Sequence, residues 1–137
     1  MLNKALVIAY HAHDGQFDKG GMPYILHPVT VALHVDSVDE KMVALLHDVV
    51  EDSSYSLDDL KKEGFPAHII EAVDIITKKD GESYDSYLEK VKSNDLARKV
   101  KIADITHNSD RSRIKEISEK DLKRFKKYEK ALSYLNS

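Results

Sequence analysis

The stretch His47-Asp48-Val49-Val50-Glu51-Asp52 sets one imidazole and three carboxylates within six residues. On a helix His47 and Glu51 share one face, and Asp48 and Asp52 share an adjoining one. The apolar run Met42-Val43-Ala44-Leu45-Leu46 directly precedes them, so four polar groups close a helix whose earlier turns are buried. Three acids near a helix C-terminus oppose the macrodipole rather than complement it. A locally disfavoured choice of this kind marks a functional site. Two other stretches carry related chemistry. In Pro23-Tyr24-Ile25-Leu26-His27-Pro28 the imidazole of His27 is held extended by the proline that follows it. In Lys101-Ile102-Ala103-Asp104-Ile105-Thr106-His107-Asn108 a carboxylate sits mid-helix between small apolar neighbours, where burying it unpaired would be costly. Asn108 lies one turn further along the same face. Alone, His27 reads as a capping or core histidine and Asp104 as a half-exposed partner of a lysine. Together, His27, His47, Asp48 and Asp104 form a sulfur-free nitrogen and oxygen donor set suited to Mn, Fe, Co, Ni or Zn. Mg rarely recruits two histidines. Four protein ligands on an octahedral ion leave positions for water and substrate, as catalysis requires.

The rest of the composition narrows the setting. With 137 residues the chain makes one domain, 1–137, large enough to hold a core without staples. There are no cysteines, which excludes disulfides, a thiolate zinc site and a cysteine nucleophile. No apolar run approaches the ~18–20 residues of a membrane span, and no signal-peptide pattern opens the chain. A pI near 6.1 and a net charge of −3 argue against binding to nucleic-acid polymers. A soluble cytoplasmic protein with a small-molecule substrate and no membrane partner is the expectation. Of the seven histidines, His11, His13, His34 and His68 read as surface or packing residues, with His11 and His13 set apart only by preceding the glycine loop, and His107 reads as packing or support for the site. Between Arg98 and Lys130 stand twelve Lys/Arg and six acids, against three Lys and nine acids between Asp36 and Glu63. The basic segment reads first as a solvated helix face, and second as a field that draws in a polyanion.

The elements that must position these groups are all helical. Leu2, Ala5, Leu6, Ala9 and Ala12 recur at helical spacing over 2–13. A glycine-containing loop over 14–26 follows, and loops of that size are often functional. Pro28 is expected at the first position of a helix reaching about Val35, with His27 at its mouth. The apolar run makes a central helix from Asp39 to about Val50. Ser56 and Asp59 form a capping-box pattern for a short helix to about Glu63. Further helices start at Pro66, Ser83 and Asp95. A last one carries Leu122, Phe125, Tyr128, Leu132 and Leu135 on one stripe. No useful segment alternates with period two. The fold class expected is therefore an all-α, single-domain bundle of seven or eight helices.

The ordered set His27, His47-Asp48 and Asp104 resembles the HD superfamily of metal-dependent phosphohydrolases. Gly15-Gln16, Pro23 to Pro28, His47 to Asp52 and Lys101 to Asp104 with His107-Asn108 resemble, more narrowly, the hydrolase domain of RelA/SpoT homologues. Those enzymes remove the 3′-pyrophosphate of guanosine alarmones such as ppGpp. The resemblance implies an HD-type helical domain with one Mn²⁺ held by His27, His47, Asp48 and Asp104. It also implies that Glu51 and Asp52 handle the attacking water and that Asn108 helps hold the nucleotide. With no room for a synthetase domain, a stand-alone hydrolase is expected. Lys19, Tyr24, Lys101, Asn108 and Arg111 are the candidate substrate contacts.

Two positions depart from the pattern. The family usually places Arg-Lys after the Gly-Gln loop, with the arginine against the guanine base, whereas this chain has Asp18-Lys19. After Asn108 the family continues Met-Arg-Thr, and this chain reads Ser109-Asp110-Arg111. Asp18 is expected to repel phosphate, to weaken the grip on the base and to broaden substrate choice. Two alternatives follow: an HD phosphohydrolase acting on another nucleotide or small phosphate ester, and a non-catalytic metal-binding or nucleotide-sensing module. The intact Glu51-Asp52 pair ranks the module last.

Overall fold

Polar side chains set most of the helix starts. In the computed structural model, which describes residues 1–137, the chain runs through α1 (Leu2–Ala12), α2 (Leu26–Leu33), α3 (Val38–Leu46), α4 (Val49–Asp52) and α5 (Leu57–Lys62). It continues through α6 (Ala67–Ile76), α7 (Tyr84–Lys92), α8 (Asp95–Asn108) and, after a 3-10 turn at Arg111–Arg113, α9 (Glu119–Asn136). Ser37, Ser83 and Asn94 each accept an orphan backbone N–H at the start of α3, α7 and α8. Ser56 with Asp59, and Ser118 with Asp121, form reciprocal capping boxes on α5 and α9. The architecture is all-α, and its one β feature is an isolated antiparallel bridge between Phe17 and Pro23.

α3 is the central element. Met42 to Leu46 are all buried, and α3 packs against α1, α2, α6 and α8. A 27-residue apolar cluster surrounds it, drawing on α1, α2, α3, α6, α7, α8 and α9. Its all-round apolar run follows from this position, since every face meets another helix.

The expected helix from Asp39 to Val50 is interrupted. α3 ends at Leu46, and the single turn α4 begins after His47-Asp48; counted as one bent helix, α3 and α4 bring the total to eight. Neighbours on a straight helix point about 100° apart. At the break, the side chains of His47 and Asp48 instead converge to 3.0 Å. Pro28 is the third residue of α2 rather than the first, and His27 lies inside that first turn rather than at its mouth. Proline is tolerated there because first-turn N–H groups have no intrahelical partner. On α9, Leu122 is 43% exposed and leaves the expected stripe. Asp121 takes the buried place, tied to Ser118 and Arg124, while Phe125, Ala131 and Leu135 are buried.

The loop over 13–25 is closed on itself by Asp18 N–H donating to the Met22 carbonyl and Tyr24 N–H to the Gln16 carbonyl, both at 2.8 Å. Gly20 has no room for a side chain: a Cβ there would lie 2.2 Å from the Arg113 carbonyl oxygen. The loop is thereby pressed against the 3-10 turn after α8.

Candidate metal centre and substrate cavity

α2, the α3–α4 break and α8 each send side chains to one buried point. His27 comes from α2, His47 and Asp48 from the break, and Asp104 from α8. One ligand atom from each lies within 4.8 Å of all the others. His27 Nε2 is 2.7 Å from Asp104 Oδ1, His47 Nε2 is 3.1 Å from the same oxygen, and His27 Nε2 is 4.0 Å from Asp48 Oδ2. Donors about 2.1 Å from an octahedral ion sit about 3 Å apart when adjacent and about 4.2 Å apart when opposite. The separations of 2.7–4.0 Å would let all four side chains reach one ion. The donor types and their spacing therefore fit one divalent transition-metal ion.

The imidazoles are oriented from behind. His47 Nδ1–H donates to the Ala44 carbonyl, which leaves Nε2 facing the cluster. His27 Nδ1 meets Nδ1 of His107 at 2.7 Å, and the two rings stack 5.0 Å apart. Burial and the nearby Arg113 charge push His107 down to about 4, so its ring is neutral and can accept as well as donate. With a metal on His27 Nε2, the His27 proton would sit on Nδ1 and be donated to His107.

The carboxylates are held charged. Burial raises Asp104, but the Lys101 ammonium at 3.0 Å, with the imidazoles, pulls it well below the ordinary carboxylate range. Burial also raises Asp48, and His47 outweighs it, with help from the Tyr24 hydroxyl donating at 2.6 Å. Burial lowers His47, yet Asp48 and Asp104 bring it well above its usual value when no ion competes for Nε2. A cation at this point would take over the compensation of both acids.

Glu51 and Asp52 lie outside the four-residue cluster, on α4. Their side chains reach solvent at the rim, yet protein surrounds them closely enough that burial raises both pKa values, and the Asp48 charge adds to it. Carboxyls raised in this way are suited to taking and returning protons.

A cavity of about 280 Å³ is lined in part by Lys19, Tyr24, Asn108, Arg113 and Tyr128. Tyr24 and Asn108 belong to both the cavity and the metal centre, because Asn108 Nδ2 donates to Asp104 Oδ1 at 3.3 Å. A larger cavity of about 530 Å³ lies elsewhere, between α7 and α9, with none of the metal-centre residues in its wall. The smaller one adjoins the metal centre through Tyr24 and Asn108.

The structure brings Lys19, Tyr24 and Asn108 to this cavity but not Arg111 or Lys101. Arg111 lies exposed over the Phe125 ring at 5.0 Å, and the Lys101 ammonium is committed to Asp104. Arg113, at the other end of the 3-10 turn, lines the cavity where Arg111 was expected. Its guanidinium donates to the His107 carbonyl at 3.1 Å, to Asn108 Oδ1 at 3.2 Å and to Asp18 Oδ2 at 3.2 Å. Asp18 is thus not a free negative charge. Burial raises it, but the Met22 N–H and the Arg113 guanidinium lower it further than that. The sequence also gave little sign of His13. Its ring is 2% exposed, donates to Gln16 and packs 4.9 Å from the Tyr24 ring, while Gln16 in turn donates to the Asp52 carbonyl at 2.9 Å. The only available signal was its place just before the Gly15-Gln16 loop.

No family model matches the chain. Among curated proteins it is 41% identical over 118 residues to the guanosine-3′,5′-bis(diphosphate) 3′-pyrophosphohydrolase of Haemophilus influenzae, covering 74% of this chain and 17% of that protein. It is 31% identical over 122 residues to the bifunctional (p)ppGpp synthase/hydrolase SpoT of Escherichia coli, covering 78% and 17%. The chain thus spans 17% of the length of these curated relatives. Among solved structures it resembles a metazoan SpoT orthologue described as hydrolysing ppGpp, with a TM-score of 0.79 and 21% identity over 98% of this chain and 84% of that one. At that identity the likeness establishes the fold.

Proposed function

We propose that this chain, a homologue of the RelA/SpoT-type pyrophosphohydrolases, is an HD-type divalent-metal-dependent nucleotide phosphohydrolase whose leading substrate is the 3′-pyrophosphate of a guanosine alarmone such as ppGpp. The observation that carries this reading is the two-His, two-Asp cluster, close enough to share one ion, beside a cavity lined by Lys19 and Arg113. His27, His47, Asp48 and Asp104 hold the ion, for which Mn²⁺ is the first choice; Fe, Co, Ni and Zn share the donor preference. When bound, the metal lowers the pKa of water and polarises the phosphoryl oxygens.

The chain's own groups do the remaining work. Glu51 takes the proton of the attacking water, and Asp52 beside it on α4 supports the same transfer. Lys101 keeps Asp104 anionic, and Tyr24 fixes the Asp48 oxygen by its hydroxyl. Lys19, Asn108 and Arg113 position the nucleotide in the cavity. A second reading keeps the reaction and changes the nucleotide. It is favoured by one observation: where the family places an arginine against the base, this chain has Asp18 bound to Arg113.

The deciding experiment measures phosphate and pyrophosphate release from a nucleotide panel that includes ppGpp, with Mn²⁺ and with each of the other four metals. Pyrophosphate should be released from ppGpp, and His47→Ala or Asp48→Ala should abolish both release and metal content. A protein that binds one equivalent of metal yet cleaves no member of the panel would overturn the enzymatic reading and leave a metal-binding module.

A further inference from the structure

The larger cavity, of about 530 Å³, is a groove between α7 and α9. From α9 it is lined by Lys123, Lys126, Lys127 and Lys130, and Asp85 and Glu89 face it from α7. The four lysines follow i, i+3, i+4, i+7 spacing, so they form one stripe of the helix. Like charges at this spacing repel one another along the helix. None of the four forms an ion pair with a carboxylate, although other lysines of the chain do. Four ammonium groups against two carboxylates leave a local excess of two positive charges. Asp85, Glu89 and the Tyr84 ring offset only part of this charge.

The groove also has walls for an aromatic group. Leu88 and Ala131 are buried at its base, and Tyr84 and Tyr134 stand in its walls. The Tyr84 hydroxyl is buried, so the groove meets the ring rather than the phenol oxygen. Each tyrosine is held by a cation: Lys127 Nζ lies 3.9 Å from the Tyr84 centroid, and Lys92 Nζ lies 4.5 Å from that of Tyr134. The volume falls in the usual range for small-molecule sites, and the concave shape suits a compact ligand better than a flat membrane surface.

We propose that the α7–α9 groove is a second ligand site, separate from the metal centre, that binds a nucleoside polyphosphate. The phosphates lie along the Lys123–Lys130 stripe, and the base lies on the apolar floor between the tyrosines. Charge complementarity selects a polyanion, and the aromatic walls select one that carries a ring.

The test uses the full chain with EDTA present and GTP, inorganic tripolyphosphate and guanosine as probes. Binding is measured by calorimetry and located by amide chemical shifts. GTP should bind, perturbing Leu88, Ala131 and Tyr134, and K126E/K130E should weaken it by about tenfold or more. That variant alters exposed groups only, so its melting temperature and its metal content should stay at wild-type values. Tripolyphosphate should bind more weakly than GTP, and guanosine weakest of all. The proposal fails if K126E/K130E binds GTP as wild type does, if the shifts gather only around Lys19 and Asn108, or if tripolyphosphate binds as tightly as GTP. Because the readout is binding without metal, its failure is distinguishable from the failure of the hydrolase reading.

Discussion

At the scale of single residues, Glu51 and His107 separate two roles that adjoin the same four ligands. Glu51 is outside the cluster, and burial with the Asp48 charge raises its pKa. Glu51→Gln should therefore keep the metal and lower turnover by on the order of 10²–10⁴-fold, as expected for a lost proton acceptor. A base must be ionised to act, so wild-type turnover should fall as pH drops through the raised Glu51 pKa. The limb should sit at higher pH than an ordinary glutamate gives, and it should vanish in Glu51→Gln. Metal analysis and a pH profile of kcat check both halves. His107 touches His27 rather than the reaction. His107→Ala removes the acceptor that fixes the His27 tautomer, and metal affinity should drop roughly 10–100-fold. Titration with Mn²⁺ measures this directly, and saturating metal should restore most of kcat. An unchanged affinity would mean that the Asp104 contact alone orients His27.

At the scale of elements, the 13–25 loop and the 3-10 turn act as one wall of the substrate cavity. Asp18 joins them by its bond to Arg113, and Gly20 allows their backbones to meet. Asp18→Arg therefore does not simply supply a missing base contact, because it would set two guanidinium groups against each other. Gly20→Ala should destabilise the fold by about 1–3 kcal/mol, the usual cost of overpacking. It should also raise KM more than it lowers kcat, because the proposed metal ligands sit on α2, α8 and the α3–α4 break instead of on this loop. Urea unfolding and steady-state kinetics on the same preparation give the two readings. Wild-type stability with a wild-type KM would show that the loop shifts freely away from the turn.

At the scale of the whole molecule, two acids and two imidazoles meet where three helical elements converge on the core. Paired carboxylates in such a place repel each other, and a divalent cation relieves that repulsion only in the folded state. Binding that is confined to the native state adds about 2.7 kcal/mol when free metal is 100 times its dissociation constant. The melting temperature should accordingly rise with Mn²⁺ and fall with EDTA, and the shift should disappear in Asp104→Ala. A melting temperature indifferent to metal would remove the cluster from consideration as a binding site.

The helices and the four residues that cluster were legible along the chain, because both depend on local pattern. Helical periodicity, the Ser56 and Ser118 boxes and the continuous run at Met42–Leu46 act within a few residues. His27, His47, Asp48 and Asp104 stood out because each is a polar group set in an apolar or constrained neighbourhood. Local pattern could not place the break after Leu46. Consecutive residues converge on one point only when a third element, here Asp104 on α8, meets them there. Nor could it choose Arg113 over Arg111, since both stand in the same short basic run and only the 3-10 turn decides which faces the cavity. Asp18 read as a lone negative charge for the same reason: its partner is 95 residues away. Local hydrogen bonding and burial pattern determined the helices and the residue types of the cluster, while the partner of each charge was settled by which helices pack together.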